Sequence, residues 1–322
     1  MEAALVTGST GLVGYNIVKT LLSRGRAVKV LVRDPERARA ALPRECTLVR
    51  GDVTDKSTLE GAMRGCDTVY HAAGLPEQWF RDPGVFQRVN VEGTRNMVEV
   101  ALRLGLRRFV YTSTIDVFDA APGSTFDEST IATSPKQTRY ERSKQAADVI
   151  VTEAIQRGLM AVFLHPSGVY GPGPTTSRGL NDLIRDLRHG KVPMLLPGGV
   201  PVVYAEDVGE GHVLAEEQAN VGERFILSTD YFSLPEMAAL ILRHFGKAKV
   251  PLVMPLWLGK LVANVGEGVS GITGRPPLIP RGQLEFLQWQ ARPSSAFAQS
   301  RLGWTPRGFA DGLAETVKYL GL

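Results

Sequence analysis

Tyr140 and Lys144 stand four residues apart in Tyr140-Glu141-Arg142-Ser143-Lys144, at the head of a run that reads as a helix over 140–157. That spacing puts both side chains on one helical face. An ammonium beside a phenol favours the phenolate and lowers a pKa that ordinarily lies at about 10. The spacing therefore predicts a tyrosine able to pass a proton to or from a substrate oxygen near neutral pH. Such a pair also arises by chance in many chains. It gains weight from a hydroxyl cluster, Thr112-Ser113-Thr114, which closes a predicted strand over 107–113.

A second chemical feature lies near the start, in Thr7-Gly8-Ser9-Thr10-Gly11-Leu12-Val13-Gly14. An apolar run over 3–6 leads in and an amphipathic run over 13–22 leads out, so the pattern is strand, tight turn, helix. Gly8, Gly11 and Gly14 stand where a Cβ would obstruct the turn or a ligand, and Thr10, Leu12 and Val13 complete the turn and the helix start. Free N–H groups and the positive dipole end there suit a pyrophosphate. The next strand, over 27–32, ends at Arg33-Asp34-Pro35, where a dinucleotide fold meets the adenosine ribose. A guanidinium at that tip matches a 2′-phosphate, so NADP(H) is expected over NAD(H). Asp34 reads more simply as a helix cap ahead of Pro35.

These features need a scaffold, and the chain alternates strand and helix. Strands are expected over 46–50, 68–71 and 160–164, and helices over 54–63 and 85–104. Asp52, with Val53, follows the third strand and could meet the adenine; its plainer reading is a cap for the 54–63 helix. Ala72 and Ala73 are small residues that let a cofactor lie across a strand end. His71 reads as structural. Pro166, Gly168 and Val169 belong to a loop expected to shape the nicotinamide end. Trp79 and Phe80, in a loop beside the cofactor, and Tyr204, closing a strand over 200–204, are the candidate substrate contacts. The pattern predicts an α/β, doubly wound parallel sheet over 1–170. A smaller C-terminal substrate lobe is expected over 171–322, with some elements returning to the sheet.

Composition narrows the function. The 322 residues are 43% hydrophobic and 22% charged, with a net charge of +4 and no basic stripe with interleaved aromatics, which argues against nucleic acid. Cys46 and Cys66 lack a zinc or redox spacing and read as buried thiols of a reducing compartment; no metal is expected. Met1-Glu2 runs straight into the first strand, so no leader is expected. No window of about 18 apolar residues occurs, so no transmembrane helix is expected either, and a cytoplasmic location is the expectation. The apolar stretch over 250–265 is the one place where peripheral membrane contact is conceivable.

Together these residues resemble an extended short-chain dehydrogenase/reductase of the NAD-dependent epimerase/dehydratase superfamily. The motifs are Thr7-Gly8-x-x-Gly11-x-x-Gly14, Gly51-Asp52, His71-Ala72-Ala73, Asn90-Val91-x-Gly93-Thr94, Tyr111-Thr112-Ser113-Thr114, Tyr140-x-x-x-Lys144 and Val169-Tyr170-Gly171-Pro172-Gly173. The resemblance implies a Rossmann fold, with Tyr140 as acid/base and Lys144 binding the ribose. It makes Thr114 the catalytic hydroxyl, with Ser113 as runner-up, and adds Asn90 to the catalytic set. It also implies a homodimer through the helices over 85–104 and 140–157. Arg33-Asp34-Pro35 is similar to dihydroflavonol reductases, and the 111–117 stretch to 3β-hydroxysteroid dehydrogenases. The C-terminal third also looks like the hopanoid-associated epimerase-like branch. Sugar-nucleotide dehydratases carry an Asp-Glu pair where Ile115-Asp116 stands, and sugar-nucleotide enzymes often read Arg-Pro-x-Asn where His165-Pro166-Ser167-Gly168 stands.

The function these readings favour is an NADP(H)-dependent oxidoreductase acting on a fairly hydrophobic ketone or alcohol. A nucleotide-sugar epimerase with retained NAD is the alternative, and a non-catalytic dinucleotide sensor the third reading.

Overall fold

The computed structural model describes residues 3–174 and 179–322. Met1 and Glu2, on which the leader expectation rests, lie outside it. Seven parallel strands form one sheet. Their spatial order is Arg224–Leu227, Ala161–Pro166, Arg108–Thr112, Cys66–His71, Ala3–Thr7, Val28–Val32, Thr47–Arg50. The chain reverses its direction of winding between Ala3–Thr7 and Cys66–His71. In such sheets a ligand lies beyond the carboxyl ends of the strands at that reversal.

The central strands are buried over most of their length because helices cover both faces. On one face, Val6, Val30 and Val110 pack with Ile17 and Leu21 of the helix Leu12–Ser23. On the other, Leu5, Val69 and Phe109 pack with Met97 and Val151 of the helices Gly93–Leu104 and Arg139–Gln156. Each aliphatic side chain fully withdrawn from water here contributes about 1.5–3 kcal/mol.

Residues beyond 170 divide in two. The strand Arg224–Leu227 forms an edge of the main sheet, and the helix Ala205–Gln218 packs on Leu12–Ser23. The remainder builds a lobe around a three-stranded sheet, Asp230–Ser233, Gly199–Tyr204 and Gly168–Tyr170. No helix among the described residues is long and apolar enough to cross a membrane.

Two expected helices differ from their sequence reading. The 54–63 helix is a 3₁₀ turn, Lys56–Thr58, followed by Leu59–Met63, and its cap is Asp55, which accepts from Ser57 N. Asp52 instead holds the turn before it, accepting from the N–H and hydroxyl of Thr54 at 2.9 Å each. The 85–104 helix opens as a π-helical stretch, Gln87–Glu92, before Gly93–Leu104. π segments often mark functional sites, and this one carries Asn90.

Candidate active site

A cleft of about 320 Å³ lies above the reversal point, and Gly8, Gly11, Tyr140 and Lys144 all line it. Gly8 adopts φ 69°, and a Cβ there would lie 2.5 Å from the Ala72 carbonyl oxygen. A Cβ on Gly14 would sit 2.4 Å from the Gly8 carbonyl oxygen, so the helix can approach the turn only through glycine. The helix Leu12–Ser23 starts at Gly11 without a side-chain cap, leaving its first N–H groups turned to the cleft. Ser167 adds a buried hydroxyl without a partner among the described residues. A glycine cradle, open N–H groups and an unpartnered hydroxyl fit a dinucleotide pyrophosphate.

Thr138 fixes where the Tyr140 helix begins. Its hydroxyl accepts from Glu141 N at 3.0 Å, and Glu141 Oε2 accepts from Thr138 N at 2.7 Å. This reciprocal cap contributes about 1 kcal/mol and sets Tyr140 in the first helical turn. The Tyr140 hydroxyl lies within hydrogen-bonding reach of Thr114. The Thr114 hydroxyl donates to Asp116 Oδ2 at 2.7 Å, so a tyrosine, a threonine and a carboxyl group stand in line.

The electrostatics differ from the sequence expectation. Lys144 is not among the main influences on the Tyr140 pKa. Its Nζ donates to the Thr112 carbonyl at 2.8 Å and to the Tyr111 hydroxyl at 3.2 Å, and lies 4.8 Å above the Tyr111 ring. Burial and the nearby Asp116, Glu77 and Glu141 push the Tyr140 phenol well above its ordinary value. Burial lowers Lys144 to about 8 and raises Asp116 to about 6. It also raises Glu77 to about 7, against the hydrogen bond that Glu77 Oε2 accepts from Thr138 at 2.7 Å. Asp116 was read from sequence only as half of a missing pair, and Glu77 was not singled out. Nothing in the local pattern places Glu77, 39 residues upstream of Asp116, beside the same tyrosine.

Of the cofactor residues read from sequence, Gly8, Gly11, Leu12, Val13, Gly14, Ala72, Tyr140, Lys144, Pro166 and Val169 line this cleft. Thr10 and Arg33 are exposed, and the Arg33 guanidinium makes no hydrogen bond or ion pair with a described residue. Asp34 caps the helix Pro35–Ala41, accepting from Arg37 N at 3.1 Å. Ala73 donates its N–H to Thr7 Oγ1, and Val53 is buried against Gly93. Gly168 does not line the cleft. It lies in a strand, and a Cβ there would meet the Pro201 carbonyl oxygen at 2.8 Å, so it serves the packing of the lobe.

Several of the candidate catalytic and substrate residues sit differently from their sequence reading. Asn90 is buried and contacts the chain itself: its Oδ1 accepts from Leu75 N at 2.7 Å, and its Nδ2 donates to Leu75 O and Ser143 Oγ. It is a positioning residue. Ser113 lines the cleft, but its hydroxyl donates to Asp148, which the Arg224 guanidinium neutralises. The Thr114 hydroxyl is likewise engaged, with Asp116, but of the two it is the one that acts on Tyr140. Tyr204 is 0% exposed, with its ring in the lobe core and its hydroxyl donating outward to the exposed Glu315 at 2.7 Å, so it is not a substrate contact. Phe80 packs edge-on against Phe86, which packs against Tyr140, and neither Trp79 nor Phe80 lines a cavity.

His71 bridges Thr7 Oγ1 and Thr94 Oγ1 at 2.8 and 3.0 Å, and burial holds it neutral at about 3. His165 is also neutral, lowered to about 4 by burial. Arg224 approaches its Nε2 at 3.3 Å, so Nδ1 carries the hydrogen and donates to the Thr114 carbonyl at 3.1 Å.

A larger cavity of about 810 Å³ opens beside Glu141, between residues 119–141 and the helices Leu256–Thr273 and Arg281–Trp289. Leu256, Leu284, Phe286 and Trp289 give it an apolar wall, and Asp119, Lys136, Glu141, Lys260, Arg281 and Glu285 line the rest with charge of both signs.

The sequence pattern of the NAD dependent epimerase/dehydratase family matches residues 4–227. The chain is similar to a putative dihydroflavonol 4-reductase from Synechocystis sp., at 30% identity over 99% of this chain and 94% of the relative. It is also similar to a 3-beta-hydroxysteroid dehydrogenase from Mycolicibacterium neoaurum, at 34% identity over 98% of this chain and 90% of that protein. Among solved structures, gox2253 superposes with a TM-score of 0.85 at 28% identity, covering 100% of this chain and 98% of that one.

Proposed function

The chain belongs to the NAD dependent epimerase/dehydratase family, and within it we propose an NADP(H)-dependent oxidoreductase that reduces a fairly hydrophobic ketone, of steroid, flavonoid or 3-oxoacyl type, or oxidises the matching alcohol. The observation that carries this reading is the meeting of Tyr140, Thr114 and Lys144 with the glycine turn in one cleft. A bound nicotinamide supplies a hydride to the carbonyl carbon or accepts one from the alcohol carbon. Gly8, Gly11 and the N–H groups of the Leu12–Ser23 helix hold its pyrophosphate, and Lys144 has one N–H left for a ribose hydroxyl.

Tyr140 gives its proton to the carbonyl oxygen, and Thr114 fixes that oxygen once its single hydroxyl hydrogen turns from Asp116 Oδ2 to the substrate. The raised pKa keeps the phenol protonated at neutral pH, the form that donates to a carbonyl oxygen. Asp116, behind Thr114, stands where a proton could be returned to the phenolate.

Arg33 supports the choice of NADP(H), because its exposed guanidinium is unpaired and Asp34 is engaged as a cap. Two substitutions weigh against a nucleotide sugar: His165 is neutral where those enzymes often have an arginine, and Gly168 packs the lobe. The larger cavity, with Trp289 and Phe286, suits an apolar substrate better than the Trp79-Phe80 loop does. The packed helices Gly93–Leu104 and Arg139–Gln156 are our proposed homodimer face.

Tyr140→Phe should abolish NADPH oxidation with hydrophobic ketones while leaving NADPH binding intact. Unchanged turnover would remove Tyr140 from the chemistry. Protein purified with stoichiometric NAD and no net NADPH consumption with any ketone would favour the epimerase.

A further inference from the structure

The helix Leu256–Thr273 is apolar on the side that faces solvent. Trp257, Leu261, Val265, Val269 and Ile272 follow one another at helical spacing along its outer face, with Trp257 68% and Ile272 89% exposed. Gly259, Ala263 and Ser270 occupy the opposite, buried face. After the helix the chain folds back, and Leu278, 82% exposed, extends the stripe across a shallow groove of about 640 Å³ that Arg275 also lines. At about 1.5 Å per residue the stripe runs roughly 25 Å, more than the scattered apolar side chains ordinary on a monomer surface.

The sequence around the stripe is mainly cationic. Between Lys247 and Arg281 the sequence carries Lys247, Lys249, Lys260, Arg275 and Arg281 against a single carboxylate, Glu267. Lys260 and Arg281 line the 810 Å³ cavity and Lys247 donates to the Arg188 carbonyl, which leaves the exposed Lys249 and Arg275. Glu267 is already engaged, accepting from Arg281 N at 3.1 Å. An amphipathic helix with an apolar outer face and flanking cations matches an anionic bilayer surface, where acyl chains take the apolar stripe and headgroups take the cations. A second copy would bring the same cations against themselves, which disfavours self-pairing here.

We propose that Leu256–Thr273 is an in-plane membrane-docking helix that seats this protein on anionic lipid. Leu256, Lys260 and Ala263 of the same helix line the 810 Å³ cavity, so docking brings that cavity next to the lipid surface, where an apolar substrate concentrates.

Vesicle co-sedimentation tests this with the full chain. Phosphatidylcholine vesicles holding about one third phosphatidylglycerol should bind the protein at least about tenfold tighter than pure phosphatidylcholine. Binding should weaken in high salt, and Trp257 fluorescence should shift to the blue, a shift that Trp257→Phe removes. Leu261→Glu with Ile272→Glu should abolish sedimentation while NADPH binding stays unchanged, which separates this result from any failure of the proposed activity. Lys249→Glu with Arg275→Glu should cut binding to the anionic vesicles by about tenfold or more. The proposal is overturned if the anionic vesicles do not bind the protein, or if the double glutamate variant binds like wild type. It is equally overturned if light scattering shows that those two glutamates turn a dimer into a monomer, because the stripe then belongs to a second copy.

Discussion

Asp116→Asn offers a quantitative test of the electrostatics around Tyr140. Burial lifts the Asp116 carboxyl from 3.8 to about 6. At about 1.36 kcal/mol per pH unit, that difference corresponds to about 3 kcal/mol. The folded pKa lies above the unfolded one, so the folded state holds the proton more tightly. The stabilisation is fully present below about pH 4 and is lost as pH rises through about 6. Asparagine has no such titration. It can still accept from Thr114, but its Nδ2 replaces an oxygen that has no partner among the described residues, which costs about 1 kcal/mol. The variant should therefore be about 1 kcal/mol less stable than wild type near pH 4 and about 2 kcal/mol more stable at pH 8. Glu77 titrates in both proteins, but Asp116 helps to raise it, so the variant also loses that part of the Glu77 shift, which changes the difference with pH in the same sense. Urea unfolding of the cofactor-free protein at intervals between pH 4 and pH 8 reads this directly. A stability difference that does not change with pH would refute the assignment of a buried, costly carboxylate at 116.

Three further outcomes follow from the geometry. Arg33→Asp should weaken NADPH binding at least about tenfold more than NADH binding, measured by titration of nucleotide fluorescence; equal losses would mean that Arg33 does not read the 2′-phosphate. Gly14→Ala places a Cβ 2.4 Å from the Gly8 carbonyl oxygen, so it should lower the melting temperature by several degrees and weaken NADPH binding; wild-type affinity would show that the turn can open at no cost. Lys144 is held at about 8 by burial, so its charge fades as pH rises through that value, and NADPH affinity of the free enzyme should fall over the same range. Lys144→Met should bind weakly and without that pH dependence; an unchanged pH profile would assign the titration elsewhere.

The parallel sheet was legible because its strands are short apolar runs closed by glycine, proline or acidic residues, as in Val28–Val32 before Asp34-Pro35 and in Ala161–Pro166. The glycine turn was legible for a steric reason, since Gly8 and Gly14 stand where a Cβ would strike backbone. What local pattern could not show was assembly across the lobe. Residues 281–289 form a helix whose Phe286 and Trp289 face the larger cavity, yet nothing in their spacing marks them as neighbours of Glu141. Tyr204 erred the other way. Its place at a strand end suggested a site, but the ring is absorbed by Tyr170, Phe309 and the Arg307 guanidinium.

The Tyr140–Lys144 pair shows most clearly where spacing stops being informative. Helical periodicity fixes which face two side chains leave from, but a lysine carries its charge four carbons further out. Here the Thr112 carbonyl and the Tyr111 ring capture that charge. Meanwhile the fold gathers Glu77, Asp116 and Glu141, from separate stretches of chain, around the phenol. Each of these carboxylates favours the neutral phenol, and burial acts in the same sense. The sign of the Tyr140 shift is therefore a tertiary property that no window of sequence contains. It also bears on the direction of the proposed reaction. A protonated Tyr140 is ready to donate to a carbonyl oxygen, whereas alcohol oxidation must first ionise it against three nearby carboxyl groups. Asp116 and Glu77, poised at about 6 and about 7, can themselves carry protons near neutral pH, so the same groups that hold Tyr140 protonated are able to reload it.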